Sequence, residues 1–322
     1  MEICDIYLNS QTHKTLKSDI ASGMLSHAYL LECSDSYVIN EYVTLMAKEI
    51  CCLEDNAPCN SCLNCQKIDH SNMVDLAIYP RSDKGLIVDD INEIVVDSFV
   101  RPMDNKYKIY ILNNFDLATT QAQNKILKTL EEPPANVIFL LTCVNSNLVL
   151  PTIISRTKHI SEPLLEIDTI QQYLSTLNVA DSSTDASISG GNISIALKLT
   201  KDGEARKIVD LAVDTLINLR SSADILRFSS KILSLKKDLS FFVETLISLF
   251  RDAIAYSSGN IQFRDYSNNI ANIASMYSHN SIFQIVDKLC EIHNKLEFNC
   301  NINGIVDKML LDILEVRFLC QK

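Results

Sequence analysis

Apolar residues in the first half of the chain gather in short runs: Ala28–Leu31, Val74–Tyr79, Lys108–Leu112 and Val137–Thr142. Each has the length of a strand. The last, VIFLLT, is apolar almost throughout, as in a strand buried on both faces. The segments between them show helical spacing. Lys14–Ile20 and Tyr37–Cys51 read as helices, and Val88, Ile91, Val95 and Phe99 mark one face of a third that Pro102 ends. A fourth, TTQAQNKILKTLEE, places Ala122, Ile126 and Leu130 on one face and stops at Pro133-Pro134, because proline cannot continue the hydrogen-bond ladder. Strands alternating with helices imply a parallel sheet wound by helices.

Beyond about Ile160 the pattern changes. Glu162–Thr200 reads as mostly helical, interrupted by a loop at DSSTDASISGGN, where Ser, Asp and Gly cluster. From Asp202 onward only helical periodicity is visible. Val306, Met309, Leu310, Ile313 and Leu314 form one stripe; Leu246, Leu249, Phe250 and Ala253 form a second; Ile282, Ile285, Val286 and Leu289 form a third. These stripes predict a separate helical bundle.

With 322 residues, 47% hydrophobic and 21% charged, the chain has enough apolar residues for two or three cores. No apolar run approaches a membrane span, and MEICDIYLNSQTHK lacks the pattern of a secretory signal, so the expected compartment is the cytoplasm. The net charge of −11 argues against self-sufficient DNA binding, which needs clustered Lys and Arg. Eleven cysteines, an odd number, argue against a disulfide framework in such a chain.

Five of those cysteines lie between Cys51 and Cys65. Cys59-x2-Cys62-x2-Cys65 supplies three thiolates at turn spacing, and Cys51 or Cys52 can close a tetrahedral set from the end of a helix. Four thiolates leave no open position for water, so the expected role is a structural Zn2+ clip.

Three further segments are distinctive together: NKILKTLEEPP at Asn124–Pro134, VIFLLT after it, and LPTIISR at Leu150–Arg156. With SHAYLL at Ser26–Leu31 and the cysteine cluster, they resemble the subunits of the bacterial DNA polymerase III clamp loader. The resemblance is dense over Ser26–Ile160, weaker to Gly203 and mainly architectural beyond. It implies an AAA+-type α/β nucleotide-binding fold over 1–160 with an inserted zinc module at 51–65. A small helical lid at 161–203 and an all-α collar at 204–322 would follow.

ATPase members of that family carry a glycine-rich phosphate loop after the first strand. Counted without gaps from MAKEICC, its glycine positions fall on Cys33, Ser36 and Val38, its lysine on Ile39 and its Ser/Thr on Asn40. The magnesium-binding acidic pair is replaced by Asn113-Asn114, the polar sensor by Cys143-Val144, and the lid arginine by Ser194. The resemblance therefore implies a degenerate site with no ATP bound. What remains intact is Ser155-Arg156, where the family places an arginine that reaches the neighbouring subunit's ATP. The implied role is a non-hydrolysing member of a DNA polymerase complex. Its partners would be gamma/tau- and delta-type loader subunits, and through them the sliding clamp and primer-template DNA. Two alternatives stand beside it: an active gamma/tau-type ATPase, and a zinc-containing nucleic-acid-binding module.

Overall fold

The computed structural model describes residues 1–81, 85–177, 179, 182–201, 204–235, 238–258, 261, 263–296 and 301–319. They form two compact units, Met1–Asn178 with Gly191–Ser194, and Val179–Gly190 with Ile195–Lys322. The stretch 161–203, expected as a lid, contributes residues to both.

The first unit runs α1 (Ile3–Asn9), α2 (Gln11–Ser22), β1 (Ala28–Glu32), α3 (Ser36–Cys51), α4 (Leu63–Asp69), β2 (Leu76–Tyr79), α5 (Val88–Ser98), β3 (Lys108–Leu112), α6 (Thr120–Glu131), β4 (Val137–Cys143), α7 (Pro151–Ile154), β5 (Lys158–Ser161) and α8 (Ile167–Thr176). All pairings in its sheet are parallel, in the order β2-β3-β4-β1-β5. This is the parallel sheet wound by helices that the alternation of strands and helices predicts. Every residue of β3 and β4 is buried, which accounts for their unbroken apolar runs. Helix α6 starts where the Thr119 hydroxyl accepts from the Ala122 amide, and it buries Ala122, Ile126 and Leu130.

Two details differ from the sequence reading. The buried face of α5 is Ile91, Ile94 and Ser98, and Phe99 is 71% exposed. The helix stops at Ser98, so Phe99 is not carried round to the core. Strand β2 begins at Leu76, two residues later than expected, because Asp75 turns inward.

The Asp75 carboxylate accepts the amides of Met103 at 2.7 Å, Asp104 at 2.7 Å and Asn105 at 2.8 Å, fixing the turn before β3. Burial alone would raise its pKa, but these amides outweigh it and hold the carboxyl below its ordinary value. A lowered folded pKa stabilises above the unfolded value of about 3.9 and is lost as pH falls through the folded one. Asp75→Asn is therefore expected to cost about 2 kcal/mol at pH 7. In urea unfolding that difference should shrink towards pH 3; a pH-independent difference would refute the assignment.

The second unit contains α9 (Ser182–Ile188), most of α10 (Ile193–Lys201), α11 (Glu204–Asn218), α12 (Ser222–Leu233), α13 (Leu239–Ala255), α14 (Ser267–Met276), α15 (His279–Leu296) and α16 (Ile302–Leu319). The expected loop at DSSTDASISGGN is in part helix α9. Ala186 and Ile188 are buried, and buried Asp185 pairs with Arg206 at 2.7 Å, so packing overrides weak local propensity. All three predicted stripes enter one core, with Val286 only partly buried. Buried Arg317 donates to the carbonyls of Ile217 at 3.2 Å and Leu219 at 2.8 Å, closing the C-terminal end of α11. Arg317→Met would keep the apolar stem and orphan those carbonyls. It is expected to lower stability to urea by about 2–4 kcal/mol; a change below about 0.5 kcal/mol would count against the capping role. No helix among the described residues is long and apolar enough to cross a membrane.

Candidate functional site

The carboxyl ends of β1, β3 and β4 lie side by side in the sheet, the place where open α/β sheets bind ligands. After β1, Cys33 is buried, and burial pushes its thiol up to about 11. Its amide donates to the Cys143 carbonyl at 3.1 Å. Ser36 opens α3. Val38 and Ile39 follow in the first turn, both 1% exposed. Ile39, the position expected to replace the family's lysine, is thus an uncharged side chain inside the core. Asn40 is exposed and donates to its own helix, to the Ser36 carbonyl at 2.8 Å.

Asp35, which the sequence reading passed over, dominates this turn. It is 1% exposed. Its Oδ1 accepts the amides of Tyr37 at 2.9 Å and Val38 at 3.2 Å and the hydroxyl of Ser194; its Oδ2 accepts the amides of Ile193 and, at 3.3 Å, Ser194. Ser194, at the lid-arginine position, also bonds the Ser36 hydroxyl at 3.1 Å. Gly191 allows this approach. Its φ is +99°, and a Cβ there would lie 2.7 Å from the Leu165 carbonyl oxygen. Aspartate before a helix is a cap signal visible in sequence; its second set of donors is not.

Asn113 and Asn114 follow β3, with Asn114 in the left-handed region at φ 51°. The Asn114 amide donates to the Thr142 hydroxyl at 3.0 Å. With Asn40, Thr44, Pro80 and Arg81, the two asparagines help line a cavity of about 590 Å3. The structure therefore brings the expected magnesium-binding positions together, but they hold neutral amides. Asn113 and Asn114 can accept or donate hydrogen bonds and cannot supply the negative charge a divalent cation needs. Cys143 is buried, which raises its thiol to about 12.

Arg156 follows the short helix α7, and its side chain is about one-third exposed. Its Nη1 donates to the Thr152 carbonyl at 2.8 Å and to the Ser155 hydroxyl at 3.3 Å, and its Nη2 pairs with Glu131 Oε1 at 2.7 Å. Glu131 is the last residue of α6, within LEEPP.

The Sγ atoms of Cys52, Cys59, Cys62 and Cys65 all lie within 4.8 Å of one another. Cys52–Cys62 and Cys59–Cys65 are each 4.0 Å apart. A tetrahedral zinc with bonds near 2.3 Å needs sulfurs about 3.8 Å apart, so the four fit one ion. Cys51 stands outside this set, and burial raises its thiol to about 12. Hydrogen bonds from Ser61 draw the Cys59 thiol down to about 6. Asn60 sits between ligands at φ 54° and accepts from Lys48 Nζ at 2.8 Å, and Lys48 also pairs with Asp69 at 2.6 Å. Helix α4 follows Cys62 directly and carries Cys65.

A family model described as DNA polymerase III, delta subunit, matches residues 8–164, and one described as DNA polymerase III, delta subunit, C terminal, matches residues 212–313. The chain belongs to the DNA polymerase III clamp-loader family. It is 24% identical to DNA polymerase III subunit delta' of Bacillus subtilis (strain 168) over 96% of this chain and 97% of that protein. It is 23% identical to subunit tau of the same organism over 91% of this chain and 58% of that protein. It is 31% identical to subunit gamma/tau of Mycoplasma pneumoniae over 67% of this chain and 30% of that protein. Both tau-type relatives are thus longer than the part they share with it, whereas the delta' relative matches almost end to end.

Proposed function

We propose that this chain is the delta' subunit of a DNA polymerase III clamp loader, a non-hydrolysing ring member that offers Arg156 to the ATP site of a neighbouring subunit. The observation that carries this reading is the contrast within one domain. Ile39, Asn113 and the buried Asp35 occupy the positions a nucleotide and its magnesium would need, while Arg156 stays at the surface in a weak, exchangeable ion pair. A guanidinium placed beside a transferring phosphoryl group stabilises the charge that develops there, and supplying it from another chain couples hydrolysis to assembly. Gamma/tau and delta subunits are the proposed direct partners; the clamp and primed DNA are reached through the assembled complex. Cys52, Cys59, Cys62 and Cys65 are proposed to hold one structural Zn2+, which fixes the segment between α3 and α4 and takes no part in hydrolysis.

The match to tau keeps an active ATPase of the same family as the second reading. ATP binding by the isolated chain separates the two, since an isoleucine in the core cannot replace the phosphate-binding lysine. The test of the first is the DNA- and clamp-stimulated ATPase of a loader assembled with either the wild-type or the Arg156→Ala chain.

A further inference from the structure

We propose that Glu131 is a latch. It parks Arg156 on its own chain and releases it only to the terminal phosphoryl group of a neighbour's nucleoside triphosphate. The inference rests on the reading of Arg156 as the arginine offered to that neighbour, and adds the residue that makes the offer conditional.

Glu131 is the last residue of α6, where the helix presents its carbonyl ends and an anion is disfavoured. Its charge is therefore no gain for α6 itself. The compensating cation is Arg156, whose Nη2 lies 2.7 Å from Glu131 Oε1. Both side chains stand on fixed ground: Leu130, beside the glutamate, and Ile153, just before the arginine, belong to one core cluster. The two ends of the guanidinium have different partners. Nη1 is anchored to the turn of α7, on the Thr152 carbonyl at 2.8 Å and the Ser155 hydroxyl at 3.3 Å. Nη2 holds the carboxylate. Nη2 can thus change partner while Nη1 keeps the guanidinium in place, and the part that must move is the Glu131 side chain. Arg156 is about one-third exposed and Glu131 about one-half, so an oxyanion can reach the pair from outside. A carboxylate and a phosphoryl oxygen are both anionic acceptors; they compete for Nη2 and repel each other beside it. A diphosphate, which lacks the terminal phosphoryl group, leaves Arg156 on Glu131. A partly exposed pair restrains the arginine only about 2- to 5-fold. That is enough to slow turnover where Arg156 engages incompletely, and too little to matter where engagement is complete.

The test is the ATPase of a loader assembled with the wild-type, Glu131→Gln or Glu132→Gln chain, with and without clamp and DNA, over a range of ATP concentrations. Glu131→Gln is expected to raise the unstimulated kcat/KM about 2- to 5-fold and to leave the stimulated kcat unchanged. Glu132→Gln, which removes the adjacent exposed carboxylate, should change neither. In the Arg156→Ala background Glu131→Gln should have no effect, because the coupling between the two residues is gone. An equal rise with Glu132→Gln, or a rise that persists without Arg156, would make the effect one of general charge and overturn the latch. A fall in both rates would make Glu131 a support for the arginine and overturn it equally. If Glu131→Gln changes nothing while Arg156→Ala abolishes stimulation, the latch fails and the role of Arg156 stands. Wild-type turnover in Arg156→Ala removes both.

Discussion

A loader assembled with the Arg156→Ala chain is expected to lose most of its DNA- and clamp-stimulated ATPase while assembling normally. Arg156 sits at the surface end of a four-residue helix, and its polar contacts are Thr152, Ser155 and Glu131, so truncating it leaves the core intact. The Glu131 pair is partly exposed on both sides and is worth no more than about 1 kcal/mol. Exchanging that carboxylate for the oxyanions of a phosphoryl group is therefore favourable once a neighbour presents them, and the guanidinium fork suits their geometry. An arginine supplied in trans is worth about 10³-fold or more in turnover at the site it completes. Arg156→Lys should fall nearly as far, because a point charge cannot reproduce the fork. Glu131→Gln should retain activity, since it removes only the competing partner. Wild-type turnover in Arg156→Ala would remove the arginine from the mechanism and leave the chain a structural ring member.

The scaffold around this arginine was legible because its signals are local. VIFLLT is apolar since both faces of β4 are covered, and α6 is bounded by the Thr119 cap at one end and Pro133-Pro134 just beyond the other. Edge strand β5, KHIS, buries only Ile160, so it carries no alternation to detect. Helix α9 is hidden for a related reason: its serines favour loops, and only burial of Ala186 and Ile188 in the second unit makes it a helix. At the candidate site the positions expected to be degenerate could be counted from sequence, but the side chains that meet there could not. Asp35 meets Ile193 and Ser194 across 158 positions, and Glu131 meets Arg156 across β4 and α7. Such pairings exist only once the sheet has ordered the segments. The cysteine cluster lies between these cases. Its spacing predicted a four-thiol set, and the choice between Cys51 and Cys52 depended on how α3 ends. Cys52 is the C-cap with extended backbone at ψ 141°, and its sulfur is the one that joins the other three.

The wild-type chain is expected to carry one zinc, and Cys62→Ser or Cys65→Ser to carry none. The stretch Cys52–Asp69 has little core of its own: Leu53 is 66% exposed and Leu63 61% exposed. Besides the thiols, it is held by polar contacts such as Lys48 on Asn60 and Asp69, and the Asn64 side chain on the Cys51 carbonyl at 2.8 Å. A few polar contacts of this kind contribute about 1 kcal/mol each, whereas zinc on thiolates supplies about 10–16 kcal/mol in small zinc-finger peptides. Most of the local order is thus assigned to the metal. Removing a ligand should abolish hydrogen-exchange protection across Cys52–Asp69 while β3 and β4, fully buried, stay protected. Acid should do the same to the wild type, because the ligands bind as thiolates and protonation releases the ion. Metal analysis of the purified wild type and Cys62→Ser decides the matter. Equal zinc content in the two would mean that the four sulfurs converge without binding an ion, and that Lys48 and its partners hold the segment unaided.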